Sequence, residues 1–423
     1  MPESYNLIDE AAFENEVRRI ARELWPQAEY QGAATIEGKQ RDGVFETEEC
    51  VHLVEATTSQ ATDKAKADIK KLVSLAQKFR QEKSHLAVKC WLITRKEPKA
   101  EQRGEAARYP GLLNILSFSQ FQAKLINVAG YLTVRENYRF GSVSDPATGD
   151  KVPTIAYVDL DIKEIGTAGI WSMHALRDGL VEGRRFVLLG DFGAGKSMTL
   201  RELFFQLRDK YHRGVIARFP IYLNLRDHHG QTNPAELLIR HATNIGFPNP
   251  DHLIRAWRAG YAILLLDGID EITSLGIQGI WKRLQDIRYR ALQAVRELIK
   301  QTPRGCGLIL ASRAHFFDSD RERKSALGQG SDYVEITLND FSEDQIRQYL
   351  TRSGLSGAIP AWLPSRPLLL GYLAAKGVLA DLLAPLGLNS SAFRQIRPKD
   401  GTCCSKEYVS AKQKLKLESM ARL

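Results

Sequence analysis

Short apolar runs alternate with amphipathic stretches through the middle of the chain. Runs of this length are typical of strands buried on both faces, and the helical patterns between them indicate crossover connections. The five runs are Phe186–Leu189, Pro220–Leu225, Ala262–Leu266, Leu308–Ala311 and Tyr333–Leu338. The pattern predicts a doubly wound α/β domain, with helices on both faces of a mostly parallel sheet.

The region before it has a smaller α/β pattern. Apolar periodicity predicts helices over Ala11–Leu24 and Thr62–Gln81, and strands over Gly43–Thr47, Cys50–Glu55 and Leu86–Ile93. The second helix has one apolar face, with its lysines on the opposite one. This face consists of Ile69, Leu72, Val73, Ala76 and Phe79. We therefore expect a separate small domain over residues 1–130.

Gly, Ser, Pro and Asp are concentrated over residues 141–150, which is the composition of a linker. We assign the linker to residues 131–155. The central domain then covers 156–340. Helices are predicted over Glu343–Arg352 and Pro367–Ala384, within a helical region at 341–390. A polar, basic tail occupies 391–423.

Charge and cysteine content narrow the functional classes. The chain has 59 Lys and Arg against 50 Asp and Glu, a net charge of +9. This excess favours a polyanionic partner such as nucleic acid, although it also serves solubility. Five cysteines without metal-site spacing resemble reduced cytosolic thiols, namely Cys50, Cys90, Cys306, Cys403 and Cys404. No apolar run approaches the roughly 20 residues of a membrane span, so we expect a cytoplasmic protein.

A complete G-x-x-x-x-G-K-S motif follows the apolar run at 186–189. Its glycines allow backbone N–H groups to surround phosphates, its lysine contacts the β and γ oxygens, and its serine ligates Mg²⁺. The predicted nucleotide-binding residues are Gly190, Asp191, Phe192, Gly193, Ala194, Gly195, Lys196, Ser197 and Met198. The motif predicts that the domain binds ATP with Mg²⁺.

Three carboxylates follow the run Ala262–Leu266. Asp267 is placed to join Ser197 at Mg²⁺, and Glu271 is the candidate general base for the attacking water, with Asp270 as its neighbour or partner. One further strand pattern separates the two motifs, so we expect Asp267 on a strand not adjacent to the phosphate-binding loop. Arg313 follows another strand and either contacts the γ-phosphate or forms an ordinary surface ion pair.

These motifs resemble those of NACHT domains, a branch of the signal-transduction NTPases related to animal NOD-like receptors. The resemblance covers about residues 170–385 and rests on Leu264–Glu271, Ala311–Arg313 and Arg366–Leu370. It implies a switch in which ATP binding and slow hydrolysis control self-association into an oligomer. It also implies that Pro367 lies near the adenine, and that residues 341–390 include part of a winged-helix region.

Such proteins usually continue into a sensor domain, whereas this sequence stops soon after residue 385. We expect the sensor to be absent, lost by truncation, or replaced by a separate protein. The expected partners therefore include a separate sensor protein or a phage-derived trigger.

The predicted N-terminal hairpin resembles the restriction-endonuclease-like PD-(D/E)xK core. The resemblance implies that Asp42 and Glu55 bind Mg²⁺, with Glu16 as a third acid. The lysine of that family is replaced by Thr57, and Lys64 is our first candidate to substitute for it, ahead of Lys71. In the alternative interpretation, Asp42 starts a turn, Glu55 is an edge-strand charge, and the lysine-rich helix face is solvated.

The sequence therefore predicts a prokaryotic antiviral defence protein in which a NACHT ATPase activates an Mg²⁺-dependent nuclease, with DNA favoured over RNA as substrate. One alternative is an ATPase switch whose N-terminal domain is inactive and binds nucleic acid or a partner. A second alternative, a DNA-translocating ATPase, lacks helicase motifs. No membrane association is expected.

Overall fold

A computed structural model describes residues 10–26, 28, 34–36, 39–143, 157–272, 284–355, 359, 363–375, 377, 379 and 383. The predicted tail at 391–423, Cys403, Cys404 and part of the predicted linker lie outside these residues. Cys50, Cys90 and Cys306 are buried. Among the helices of the described ranges, none has the length and apolar character needed to cross a membrane.

The N-terminal unit is a mixed four-stranded sheet with helices packed against it. Its elements are α1 (Glu10–Leu24), β1 (Ala34–Ile36), β2 (Lys39–Arg41), β3 (Gly43–Glu46), β4 (Cys50–Thr57), α2 (Thr62–Glu82), β5 (Ala87–Thr94), α3 (Ala100–Ala106), β6 (Leu113–Ser117) and α4 (Phe118–Ala123). The main sheet has the order β3-β4-β5-β6, while β1 and β2 form a separate hairpin. β3 and β4 are antiparallel, and the remaining pairs of the main sheet are parallel. The predicted helices and strands of this region are confirmed to within a few residues.

Alternation along β4 divides the N-terminal core into two layers. Val51 and Leu53 pack on the side of α2 with Ile69 and Leu72. Val54 and Ala56 belong to the opposite layer, with Phe13, Val17 and Trp91. Every residue of β4 is buried, because helices cover both faces of this strand. Glu55 has the same strand parity as Val51 and Leu53, so it lies on the α2 side.

The C-terminal unit contains a seven-stranded sheet. Its elements are α5 (Val128–Glu136), β7 (Ile162–Glu164), β8 (Ile170–Trp171), α6 (Met173–Val181), β9 (Arg185–Leu189), α7 (Lys196–His212), β10 (Phe219–Asn224), α8 (Pro234–Ile245), α9 (Pro250–Arg258), β11 (Ala262–Asp267), α10 (Leu284–Ala291), α11 (Gln293–Gln301), β12 (Leu308–Ser312), α12 (Asp320–Leu327), β13 (Tyr333–Leu338), α13 (Glu343–Arg352) and α14 (Pro367–Ala375). All five predicted strands are present.

The sheet order is β10-β11-β12-β9-β13-β7-β8. The first five strands are parallel, and the short β7 and β8 extend the sheet in antiparallel fashion. β12 separates β11, which ends at Asp267, from β9, which precedes the phosphate-binding loop. The expectation that Asp267 lies on a non-adjacent strand is therefore confirmed, and the C-terminal unit has the parallel-rich architecture of a P-loop NTPase.

Residues 131–143 differ from the linker expected there. Tyr131 and Arg135 on α5 are fully buried, as is Phe140 beyond it. The Tyr131 hydroxyl and His241 Nε2 are 3.0 Å apart, and Arg135 Nε donates to the Tyr222 carbonyl at 3.0 Å. A linker therefore does not describe 131–143, because its aromatic and arginine side chains pack into the C-terminal unit. The predicted linker starts at residue 131, although the Gly, Ser, Pro and Asp composition behind that prediction begins only at 141.

The two units are also in direct contact. The Phe118 and Tyr261 ring centroids are 6.3 Å apart, and the Arg19 guanidinium lies 4.9 Å from the Tyr261 ring centroid. Gln122 Nε2 donates to the Ala217 carbonyl at 3.0 Å. The N-terminal unit therefore rests against the NTPase sheet through α1 and α4.

Candidate functional site

The phosphate-binding loop connects β9 to α7. Gly193 and Gly195 have φ angles of +79° and +98°, a region that favours glycine. Asp191 and Phe192 are exposed on the loop, Ala194 is buried, and Ser197 and Met198 lie in the first turn of α7. The loop therefore places its backbone and Lys196 at the N-terminus of a long helix, which is suited to binding an anion.

Lys196 is directed back over this loop. Its Nζ donates to the Gly190 carbonyl at 2.6 Å and to the Asp191 carbonyl at 3.0 Å. Burial lowers the pKa of Lys196, whereas the charges of Asp270 and Asp267 oppose that shift. The ammonium group is thus centred in the phosphate cradle, as the motif predicts.

Asp267 ends β11 beside Ser197. The Tyr222 hydroxyl donates to Asp267 Oδ2 at 2.6 Å, and Ser197 also hydrogen-bonds this carboxyl group. Burial raises the pKa of Asp267, while both hydrogen bonds lower it. A hydroxyl and a carboxylate beside a phosphate cradle are the hard oxygen donors that Mg²⁺ prefers. Ser197 and Asp267 therefore fit the metal-binding role expected of them.

Asp270 and Glu271 follow Gly268 in a single 3-10 turn, yet they have different partners. Asp270 Oδ2 lies 2.7 Å from Arg313 Nε. Glu271 Oε1 accepts a hydrogen bond from Ser142 Oγ at 3.1 Å, and its Oε2 lies 3.6 Å from Arg226 Nε. Both carboxylates border the same cleft, but the Asp270 side chain is 8% exposed and ion-paired with Arg313, whereas that of Glu271 is 29% exposed. The role of Glu271 as general base stays a prediction.

A cleft of about 920 Å³ opens beyond these side chains. It is bordered by carboxylates and by a set of basic residues: Arg139, Arg226, His229, Arg288, Arg313 and His315. Phe192 is half-exposed at its edge, and the Arg313 guanidinium lies 5.5 Å from the Phe192 ring centroid. Cations surrounding this end of the phosphate loop favour an anionic ligand there.

The segment at Arg366–Leu368 lies against the phosphate-binding loop. Leu368 N donates to the Gly193 carbonyl at 3.3 Å, and Arg366 Nη1 donates to the Phe192 carbonyl at 3.3 Å. A Cβ on Gly195 would lie 3.9 Å from Pro367 Cγ. Pro367 is therefore beside the phosphate-binding loop, and its expected position near the adenine stays a prediction.

A second group of polar side chains lies in the N-terminal unit. The pairing of β3 with β4 ends with Gly43 opposite Val54, and Asp42 and Glu55 are the residues just beyond that pair. Both carboxyl groups are buried, and Asp42 Oδ2 accepts a hydrogen bond from Ala56 N at 2.8 Å. Burial and the charge of Asp42 raise the pKa of Glu55 to about 7. The structure therefore brings together the two acids that the sequence singled out.

Lys71, ranked second by sequence, is the lysine that meets Glu55. Its Nζ lies 2.6 Å from Glu55 Oε2. Lys64 instead lies 3.3 Å from Asp68 Oδ1. Lys64, Asp68 and Lys71 share one face of α2 at helical spacing, and the carboxylate between the two lysines binds the first of them. The contacts therefore favour Lys71 over Lys64, the reverse of the order expected from the sequence, and which lysine acts in catalysis stays a prediction.

Glu14, rather than Glu16, is an acid of α1 that interacts with Asp42. The pKa of Glu14 is raised by burial and by the charge of Asp42. Arg18, one helical turn further, donates to the Asp42 carbonyl at 3.0 Å. Glu16 lies on another face of the helix, with its Oε1 3.2 Å from Arg19 Nη2. The assignment of Glu16 was wrong because the helical period directs it away from Asp42.

At Thr57 the side chain is fully buried, and its Oγ1 accepts a hydrogen bond from Ser59 N at 3.2 Å. The described residues contain no group of three or more His, Cys, Asp or Glu placed to hold a metal ion. Mg²⁺ is nevertheless often held by only one or two carboxylates together with substrate phosphates. The Asp42 and Glu55 pair fits that lesser requirement.

Sequence reasoning missed Tyr222, Asp68, Glu14 and the contact of Ser142 with Glu271. Tyr222 lies within an apolar strand, so only its pairing beside β11 reveals the hydrogen bond to Asp267. The helical spacing of Asp68 between Lys64 and Lys71 could have indicated its role.

The curated proteins include no match to this chain. A family model, in contrast, matches part of the sequence. The matched segment begins just before β9 and ends just after α13, so it includes the phosphate-binding loop, Asp267, Glu271 and Arg313. Residues 184–355 match the NACHT domain model, and this match supports a NACHT nucleoside triphosphatase in that part of the chain.

Proposed function

We propose that the NACHT NTPase of this chain is an ATP-dependent switch that activates the N-terminal unit as a metal-dependent nuclease in antiviral defence. The observation that carries the proposal is the group formed by Asp42, Glu55 and Lys71. Two carboxylates and one ammonium group meet at a single site, with Lys71 Nζ 2.6 Å from Glu55 Oε2. These three groups supply what phosphodiester hydrolysis needs.

Asp42 and Glu55 would hold Mg²⁺, which supplies an activated water and charge stabilisation when bound. Lys71 stands beside Glu55, where its ammonium can orient the attacking water and neutralise charge on the phosphate. The oxygen of the attacking water forms a bond to phosphorus and the water gives up a proton to the solvent. The bond from phosphorus to the leaving deoxyribose oxygen breaks, and that oxygen takes up a proton.

The surroundings of the site support a polyanionic substrate. On the face of α2 that carries Lys71, Lys64 is exposed two helical turns earlier. The whole chain has a net charge of +9. Lysines beside the carboxylate pair favour binding of nucleic-acid phosphates. We propose DNA, in preference to RNA, as the substrate, and self-association of the ATP-bound protein as the activating event.

A second function is favoured by one observation. Thr57 replaces the strand lysine of the nuclease family, and it is fully buried. If the ion pair of Lys71 with Glu55 is only structural, the N-terminal unit binds nucleic acid or a protein partner without cleaving it. The NTPase would then control binding.

Cleavage of supercoiled plasmid in the presence of ATP and Mg²⁺, or Mn²⁺, distinguishes these functions. We expect Asp42→Asn and Lys71→Ala to lower the cleavage rate by about 100-fold or more, the scale of a lost catalytic group. Lys70→Ala is the matched control, because Lys70 is the exposed neighbour on the same helix. ATP hydrolysis should persist in all three variants, since the two sites lie in different units.

Two results would overturn this proposal. If the parental protein binds ATP but cuts neither DNA nor RNA with either metal, the N-terminal unit is a binding module. If Lys64→Ala abolishes cleavage while Lys71→Ala does not, the catalytic assignment of Lys71 is wrong.

A further inference from the structure

Residues 139–142 lie over the magnesium ligands of the NTPase. We call these residues, which follow α5, the strap. At Gly141 the φ angle is +54°, and a Cβ there would lie 2.1 Å from Asp267 Oδ2 and 2.7 Å from Ser197 Oγ. Only a glycine backbone fits so close to both oxygen atoms.

Hydrogen bonds hold the strap at both sides of Gly141. Gly141 N donates to Asn224 Oδ1 at 2.7 Å, and Asn224 Nδ2 donates to the Arg139 carbonyl at 3.0 Å. Asn224 ends β10 and pairs in register with Asp267. Arg139 also forms an ion pair with Asp227. The strap is therefore fixed to the strand that neighbours the metal ligand.

Ser142 extends the strap to the candidate base. Its Oγ donates to Glu271 Oε1 at 3.1 Å and accepts a hydrogen bond from Arg226 Nη1 at 3.4 Å. Before Ser142, the buried Phe140 ring packs edge-on against Tyr222, with centroids 4.9 Å apart. The same short segment therefore touches the magnesium ligands, the general base and the tyrosine that orients Asp267.

Mg²⁺ needs near-octahedral coordination at 2.0–2.1 Å and usually keeps several water ligands. An ion held by Ser197 and Asp267 would place those ligands in the space that the Gly141 backbone occupies. We infer that the strap is an inhibitory element, and that it must leave Asp267, Ser197 and Glu271 when Mg²⁺ and a nucleoside triphosphate bind. The inference rests on the NTPase activity of residues 184–355.

The strap is also close in sequence to the N-terminal unit, because α5 and two short loops separate it from α4. It follows α5 directly, and α5 is anchored to β10 through the bond of Arg135 Nε to the Tyr222 carbonyl. Departure of the strap would therefore free the C-terminal end of α5, the first helix after the N-terminal unit, at the step when Mg²⁺ and nucleotide bind. This gives the triphosphate a physical route to the N-terminal unit.

Hydrogen exchange of the peptide spanning 138–143 tests the inference directly. The Gly141 amide donates to the buried Asn224 side chain, so we expect slow exchange in the nucleotide-free protein. Adding Mg²⁺ with a non-hydrolysable ATP analogue should make exchange of this peptide faster. Slower or unchanged exchange, with binding of the analogue shown by calorimetry, would overturn the inference.

Ser142→Ala gives an independent test, since it removes the hydrogen bond to Glu271 at an exposed position. Mg²⁺ should therefore strengthen nucleotide binding more in Ser142→Ala than in the parental protein. The nucleotide dissociation constant without Mg²⁺, divided by the constant with Mg²⁺, should rise about 3- to 10-fold, the effect of losing one hydrogen bond that opposes binding. Asn137→Ala is the control, because Asn137 is exposed just before the strap and its side chain donates back to α5, at the Thr133 carbonyl. A ratio that falls in Ser142→Ala would instead show that the strap assists metal binding.

Discussion

Lys71 Nζ on α2 lies 2.6 Å from Glu55 Oε2 on β4, although the two residues are 16 positions apart in the chain. In the pattern that the N-terminal region resembles, a lysine would instead stand on the strand itself, where this chain has Thr57. The strand supplies the carboxylate of Glu55 but no lysine, and helix α2 supplies the ammonium group instead. Restoring a lysine by Thr57→Lys would bury a second cation in a site where Lys71 already pairs with Glu55.

Lys196→Ala should abolish most nucleotide binding. The side chain is centred over the phosphate loop through bonds to the Gly190 and Asp191 carbonyls, and it is the loop's one cation for the β and γ phosphates. Calorimetry of ATP binding with Mg²⁺ measures the effect, which we expect to exceed about 100-fold in dissociation constant.

Lys210→Ala is the matched control for that variant. Lys210 lies in the last turn of the same helix, with its Nζ 3.0 Å from Asp178 Oδ1, on a surface remote from the loop. Equal ATP affinity in the Lys196→Ala and Lys210→Ala proteins would contradict the role given to Lys196.

Glu271→Gln should separate binding from hydrolysis. A glutamine can still accept the hydrogen bond from Ser142, but it cannot remove a proton from water. We expect ATP affinity within about threefold of the parental value and a turnover number lowered by about 10²- to 10⁴-fold. Hydrolysis at the parental rate would transfer the catalytic role to Asp270, which in this structure binds Arg313.

Acid should destabilise the N-terminal unit through His52. The imidazole stacks on Trp25 with ring centroids 4.0 Å apart, and its Nδ1 accepts a hydrogen bond from Trp91 Nε1 at 3.2 Å. Burial, assisted by the charge of Lys89, lowers the pKa of His52 to about 4. The pKa of His52 in the folded protein lies below its unfolded value of 6.5. The contribution of neutral His52 to the free energy of unfolding is therefore complete above pH 6.5 and is lost as the pH falls towards 4.

Between pH 7 and pH 5 the loss through His52 amounts to about 2 kcal/mol in the free energy of unfolding. Urea unfolding at several pH values measures it. His52→Gln, which keeps an acceptor but does not titrate, should flatten the pH dependence by about this amount. The exposed His85 provides the control, and a His85→Gln protein should follow the parental curve. Parallel curves for parental and His52→Gln proteins would exclude the effect.

The extent of sequence-based prediction differed between the two sites. The phosphate-binding loop and the strand ending in Asp267 could be predicted, because both are local patterns in which the residue types and the backbone conformation are specified together. In the N-terminal unit, Asp42 and Glu55 could be paired through their hairpin. Which lysine and which acid approach them depends on how α1 and α2 pack on the sheet, and the linear order does not contain that information.

The position of the strap is a second feature that the sequence alone did not predict. Gly141 and Ser142 begin a polar, glycine-containing stretch, and composition alone predicts a linker there. Their positions over Asp267 and beside Glu271 arise from the burial of Phe140 and the bonds of Asn224, two contacts that join distant parts of the sequence. Tertiary packing therefore gave this segment a place in the NTPase site.

Plasmid cleavage by NTPase-site variants tests the central claim, that the nucleotide state controls the N-terminal unit. With ATP and Mg²⁺ present, Glu271→Gln should cleave at least as fast as the parental protein, because it retains ATP. Lys196→Ala should cleave at the nucleotide-free rate of the parental protein, although Asp42, Glu55 and Lys71 are intact in it. Parental-rate cleavage by Lys196→Ala would contradict the account, since the nuclease would then act independently of the NACHT domain.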